Sequence, residues 1–258
     1  MAQTIGEVLD GAFRIFQRTV IRTLPISVLA VLLGQGPNLY LLSRGVPAHS
    51  PLRAHDPGWF LVIVATTVLI SVAHYAMLRR QFAIVRDLPT RLGNELSGAL
   101  RRAPAIVTML IVQLLAFVIG TIALILPALY LMVPMAVAWP VLALEERGAL
   151  DSCRRALRLT RGSWWRVATT ATVAFIVLSV FVVVAALFLG LILQLGRRGD
   201  DVELMLAASR TILLAIMAFL IPFYSAAAIA IYLDLLEREE ARTTGARPIP
   251  VASEGQAG

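Results

Sequence analysis

His49 and His55-Asp56 fall within one stretch, residues 44–58, and two imidazoles with a carboxylate are a ligand set that zinc accepts. Their spacing matches no zinc motif, and Pro47, Pro51 and Pro57 read as an irregular loop, so no metal site is expected there. The third histidine, His74, lies in an uncharged run little more than one helical turn before Arg79. An ionisable group at membrane depth is a candidate proton carrier, but so close to the end of its run His74 is expected to pack or to hydrogen-bond. Gln35-Gly36-Pro37-Asn38 interrupts another run. Such a break either lines a substrate site in a transporter or is a kink whose freed backbone groups are satisfied by neighbours. With no charged partner in any other run, the kink is the expectation. Gln113, Gln194 and Pro222 are open to the same two readings. No Ser/His/Asp set, HExxH or phosphate-cradling glycine loop is present, and the only GxG, Gly34-Gln35-Gly36, leads into no nucleotide fingerprint. The chain is therefore expected not to be an enzyme and to need no cofactor.

These residues sit among long uncharged runs. Between Arg102 and Glu145 there are 42 residues without a charge, and further runs cover 23–43, 57–78, 167–196 and 211–233. A helix rises about 1.5 Å per residue and a bilayer core is about 30 Å thick, so ~20 residues cross once. The 42-residue run must therefore cross twice, with its turn placed at Leu126-Pro127-Ala128 by the proline. The fold class is read as all-α, a polytopic membrane protein of six spans near 23–43, 57–78, 104–126, 128–144, 166–195 and 208–233. A composition of 59% hydrophobic and 15% charged residues leaves no room for a sizeable soluble domain.

All 23 basic residues are arginine, and the net charge is +7. Arg14, Arg18 and Arg22, then Arg79 to Arg102, Arg147 to Arg166, and Arg238, Arg242 and Arg247 fall on one side of the predicted spans. Only Arg44, Arg53, Arg197, Arg198 and Arg210 fall on the other. The positive-inside rule then places both termini in the cytoplasm. The basic pI reflects this topology, and no nucleic-acid partner is expected. Residues 1–22 carry acids and arginines and lack the apolar stretch of a cleaved signal peptide. Cys153 is the single cysteine and can form no internal disulfide.

Three arginine-bearing segments have apolar residues spaced by three and four, the mark of helices that can lie in the membrane interface. Residues 4–18 set Ile5, Val8, Leu9, Ala12, Phe13 and Phe16 against Arg14 and Arg18. Residues 92–103 set Leu92, Leu96, Ala99 and Leu100 against Arg101 and Arg102. Residues 149–161 set Leu150, Cys153, Ala156 and Leu157 against Arg154, Arg158 and Arg161. Each precedes two spans, so the chain also reads as three units of a surface helix plus a transmembrane hairpin. Residues 1–236 form one membrane domain in this reading, and 237–258 a disordered tail rich in Gly, Pro, Ala and Thr.

Several stretches together resemble a known family: Ile5-Gly6-Glu7-Val8-Leu9-Asp10-Gly11-Ala12-Phe13, Leu126-Pro127-Ala128-Leu129-Tyr130, Pro140-Val141-Leu142-Ala143-Leu144-Glu145, Ala156 through Arg166, and Pro222-Phe223-Tyr224 with Tyr232-Leu233-Asp234-Leu235. Their order resembles the membrane domain of bacterial glycerophosphoryl diester phosphodiesterases and the uncharacterised six-span bacterial inner-membrane proteins related to it. Ala128 departs from the pattern, which has glycine after the proline. The resemblance implies an inner-membrane protein. It does not carry over the phosphodiesterase chemistry, which belongs to a separate soluble barrel with paired histidines and metal-binding carboxylates.

The functional expectation is a non-enzymatic, membrane-organising or accessory protein whose cytoplasmic face contacts membrane lipid, anionic lipid in particular; a protein partner is left open. Arg14, Arg101, Arg102, Arg154, Arg155 and Arg158 would carry that contact, with Trp164 and Trp165 as depth anchors. The arginines serve topology alone in the simpler reading. A transporter or channel for a small or amphipathic solute is the alternative, favoured if Asn38, His74 or Gln113 reaches a hydrated cavity.

Overall fold

The structure is a computed structural model that describes residues 4–45, 56–122, 125–195 and 202–245. Among the described residues nine helices follow in chain order: α1 Ile5–Gly34, α2 Gly36–Ser43, α3 Pro57–Val85, α4 Leu92–Arg101, α5 Ala103–Ile122, α6 Ile125–Leu144, α7 Ala149–Thr160, α8 Trp164–Leu195 and α9 Val202–Gly245. Among the described residues there is no strand. Five helical stretches are long and apolar enough to cross a membrane: Ile5–Ser43, Pro57–Val85, Ala103–Ile122, Trp164–Leu191 and Thr211–Thr244. Their outer surfaces are apolar. Phe175, Ile176, Val180, Phe181, Val183, Leu187 and Phe188 all stand exposed along α8. Water would not tolerate an apolar surface that continuous, so the molecule is a multi-pass membrane protein.

Local chemistry sets the helix ends. Thr4 and Glu7 form a reciprocal capping box that starts α1. Asp56 caps α3, its Oδ1 accepting from Gly58 N at 2.9 Å, and Pro57 follows at the first helical position, where its missing N–H costs nothing. Asp87 (φ 54°) and Glu146 (φ 52°) end α3 and α6 in the left-handed conformation, an uncommon choice for residues with a Cβ. Each carboxylate is taken up by another helix: Arg18 lies 2.8 Å from Asp87, and Arg79 2.7 Å from Glu146. Gly162 (φ 82°) follows α7 and lets the chain turn into α8.

The first arginine-bearing segment is not a separate surface helix. Residues 5–34 form one helix, because Arg18 and Arg22 interrupt the hydrophobicity but not the backbone hydrogen bonds. Its Val8, Ala12, Ile15 and Phe16 pack inward, and α1 contacts α9 more extensively than any other pair of helices touches. The pair is antiparallel: Val8 and Ile15 share a groove with Glu237 and Ala230, while Ser27 meets Ala218 further along. Phe16 stands edge-on to Phe219 and Phe223, with ring centroids 5.3 and 5.6 Å apart. Segments 92–101 and 149–160 do form helices of their own. α7 packs on α6, with Cys153 Sγ 3.9 Å from Met135 Sδ, and at the start of α8 Trp164 Nε1 lies 2.9 Å from the Tyr130 carbonyl.

Three further boundaries differ from the sequence expectation or refine it. The helix break at Gln35 is present, and a Cβ at Gly36 would lie 2.6 Å from Thr66 Cγ2, so glycine there admits the close approach of α3. The α5–α6 boundary precedes Leu126-Pro127-Ala128. α6 already begins at Ile125 and Pro127 lies in its first turn, where a missing N–H removes no intrahelical bond. Finally, α9 continues to Gly245, so residues 237–245 of the expected disordered tail are helical, and residues 246–258 lie outside the described residues.

Candidate functional site: the arginine-rich end of the bundle

Ion pairs gather at the end of the bundle that holds the start of α1 and the end of α9. On α9, Asp234 is almost fully buried and accepts from Arg166 Nε at 3.1 Å and Arg238 Nε at 3.0 Å. Just past the end of α6, Glu145 is met by Arg147 Nε at 2.6 Å, Arg155 Nε at 3.3 Å and the Tyr232 hydroxyl at 3.0 Å. Arg155 also gives both terminal nitrogens to the Glu239 carboxylate. That fork-to-fork pairing, with the charge of Glu145 beside it, raises the guanidinium pKa above its ordinary value. Arg80 pairs with Glu95 at 2.7 Å, both side chains largely buried, and so pins α4 to α3. Arg242 donates to Ser163 Oγ at 3.1 Å and to the Arg161 carbonyl at 3.3 Å. The last turns of α9 are thereby fastened to the loop between α7 and α8.

The residues singled out for lipid contact divide into two sets. Arg14, Arg101 and Arg158 are exposed and hold no ion pair among the described residues. Arg154 is exposed and only loosely paired with Asp151, at 3.7 Å. Arg102 is partly covered, 3.7 Å from Glu146. Arg155 departs from expectation. Its side chain is only 16% exposed and is committed to Glu145 and Glu239, because it stands one turn from Asp151 on the flank of α7 that meets α9. Trp165 is 79% exposed, as an interfacial anchor should be. Trp164 turns inward, stacks on Tyr130 at 5.2 Å and donates its indole N–H to the Tyr130 carbonyl.

That carbonyl is four residues before Pro134, which has no N–H to offer it. A second proline is treated alike. Pro222 in α9 frees the Ala218 carbonyl, and Ser27 of α1 donates its hydroxyl there. Gln81 of α3 adds Nε2 to the Pro222 carbonyl at 2.8 Å. These trans-capped prolines are polar fixtures in an apolar bundle; the sequence offered the neighbour-satisfied kink as one of two readings of Pro222 and did not single out Pro134. The only signal was a proline inside an uncharged run.

The other polar candidates are engaged in structure. His74 lies between Trp139 and Tyr224, ring centroids 5.6 and 5.9 Å away, with Nδ1 3.4 Å from Ser225 Oγ. Gln113 donates to the Met135 carbonyl at 3.2 Å and accepts from Trp139 Nε1 at 3.2 Å. It lines a recess of about 290 Å³ whose walls include Phe117, Met132, Met135, Trp139 and Tyr224. Asn38 Nδ2 lies 3.5 Å from Gln35 Oε1. Pro222 belongs to the capped kink. The side chain of Gln194, like all of His49 and His55, lies outside the described residues. Among the described residues no group of three or more His, Cys, Asp and Glu side chains gathers. Comparison of the chain with family models, curated proteins and solved structures returns no match to any of them.

Proposed function

We propose that the protein is a non-enzymatic membrane-organising or accessory protein of a bacterial inner membrane, and that its arginine-rich end binds anionic lipid on the cytoplasmic side. In this reading α6 is a sixth crossing beside the five longer stretches, α4 and α7 lie at the membrane interface, and both chain ends face the cytoplasm. The same reading takes up the kinship with the membrane domain of glycerophosphoryl diester phosphodiesterases, without their hydrolytic chemistry. One observation carries it. At this end exposed arginines alternate with exposed apolar side chains: Phe13 beside Arg14, Leu100 beside Arg101, Leu157 beside Arg158, and Trp165 close by. An apolar group that enters the headgroup layer, next to a cation at phosphate depth, is the chemistry that favours an anionic leaflet. The amide of Gln113 is engaged with Trp139 and Met135, and His74 packs between the rings of Trp139 and Tyr224.

The test uses the whole chain in nanodiscs of mixed lipid. Each arginine near an anionic surface contributes about 1 kcal/mol, screened by salt. Replacing Arg14, Arg101 and Arg158 together by glutamine should lower the enrichment of phosphatidylglycerol over phosphatidylcholine around the protein by at least about tenfold at low salt. Unchanged enrichment would leave these arginines with a topological role alone and remove the proposal. Orientation is checked separately. Cys153 is a poor reporter, because it is buried and burial pushes its thiol pKa up. A Cys153→Ser chain carrying Arg154→Cys places a thiol at an exposed position of α7. A membrane-impermeant maleimide should spare it in intact spheroplasts and modify it after permeabilisation; modification from outside overturns the orientation.

A further inference from the structure

The thiol of Cys153 does not stand alone in the core. Its Sγ lies 3.5 Å from Met109 Sδ of α5 and 3.9 Å from Met135 Sδ of α6, so two other helices each bring a thioether sulfur to within 4 Å of the thiol. Cys153 and Met109 are buried in the hydrophobic core, and Met135 packs against it. A first-row metal–sulfur bond is about 2.3 Å, so three sulfurs around a trigonal ion stand about 4 Å apart. The two separations seen here are close to that. Thiolate and thioether ligands are soft and select copper(I) over hard cations.

Charge narrows the choice further. A monovalent ion bound by one thiolate and two neutral thioethers forms a site of zero net charge, the only kind an apolar interior holds without a large desolvation penalty. A divalent ion would leave one uncompensated positive charge. There is also a way in: Met135 lines the recess of about 290 Å³ between α5 and α6, and Met132, another thioether in its wall, is exposed.

We propose that Cys153, Met109 and Met135 form a binding site for one copper(I) ion, entered from the recess by way of Met132. On binding, the Cys153 S–H bond breaks, its proton leaves to solvent, and a copper–sulfur bond forms, with no change in oxidation state. The site is independent of the lipid-binding reading and of the arginines that carry it.

The experiment titrates the purified full chain with copper(I) buffered by bathocuproine disulfonate, without oxygen. One equivalent should be taken from the chelator and give copper–thiolate charge-transfer absorption in the near ultraviolet. Cys153→Ser should abolish both. Met109→Leu/Met135→Leu keeps core volume and the thiol, yet should weaken binding by about tenfold or more, the loss that follows even when outer support of a metal site is removed. X-ray absorption at the copper edge should show three sulfur scatterers. Zinc(II) in excess should not displace the ion. Wild-type uptake no greater than that of Cys153→Ser, undiminished affinity in the double leucine variant, or oxygen and nitrogen scatterers would each overturn the proposal. If Cys153→Ser fails to fold, the double leucine variant and the absorption spectrum still decide it.

Discussion

Arg155→Met should unfold at markedly lower denaturant than the wild-type protein, with a loss of about 2–4 kcal/mol, while Arg154→Gln on the same helix should cost under about 0.5 kcal/mol. The two arginines are chain neighbours with opposite surroundings. The Arg154 side chain is 77% exposed and 3.7 Å from Asp151, and surface pairs of that kind contribute little. Arg155 is held between Glu145 and Glu239. Its removal leaves Glu239 beside Glu145 without the cation between them. Methionine conserves the bulk of the side chain, so the loss reports the charge. SDS titration of the protein in mixed micelles, followed by circular dichroism, measures both variants. A second change, Glu239→Gln, should restore part of the loss in Arg155→Met, because it removes one of the stranded carboxylates. Equal stabilities for Arg155→Met and Arg154→Gln would show that the buried cluster carries no stability.

Ser27→Ala should cost about 1–2 kcal/mol, the upper end for an interhelical hydrogen bond in a membrane. The hydroxyl answers a carbonyl that has lost its own helical donor, and an unsatisfied buried acceptor is more costly than a lost ordinary bond. The cause can be isolated. Pro222→Ala restores an N–H that can bond the Ala218 carbonyl within α9, so in that background Ser27→Ala should cost less than about 0.5 kcal/mol. The same SDS titration on the four chains of the cycle gives the coupling. Equal costs of Ser27→Ala with and without Pro222 would mean that the serine is not capping the proline kink.

What the sequence disclosed depended on whether a property was local. The uncharged runs located the five long apolar helices because span length is a count of consecutive residues. The break at Gln35 was legible for the same reason, since Gly36 and Pro37 act on their own backbone. The continuity of α1 through Arg18 and Arg22 was not. Charge on one face of a helix marks where it leaves the hydrocarbon, and the backbone hydrogen bonds run on regardless. The periodicity of residues 149–161 placed a helix there, but of its expected inner residues only Cys153 and Ala156 are buried, while Leu150 and Leu157 are exposed and Ser152, Leu159 and Thr160 face inward. It could not show that Arg155 stands on the flank that meets α9, because its partner Glu239 is 84 residues away and seven other acids in the chain's last third look no different in sequence. Trp164 and Trp165 illustrate the same limit. Adjacent tryptophans read alike as anchors, and only the fold sends one outward and the other to the Tyr130 carbonyl.

The antiparallel embrace of α1 and α9 has a consequence for how the chain is made. Ser27 and the Ala218 carbonyl are separated by 191 residues. At ~5–20 residues per second, the ribosome takes about 10–40 s to supply the partner after the first helix has emerged. For that interval the inner face of α1, with Thr19, Thr23 and Ser27, waits in the lipid or the insertion machinery without its neighbour. Two of the three hydroxyls are already provided for: Thr19 donates to the Ile15 carbonyl at 2.7 Å and Thr23 to the Thr19 carbonyl at 3.0 Å, both within their own turn of helix. Such self-contained bonds let the newborn helix enter the bilayer alone, and the last helix to be synthesised closes the bundle.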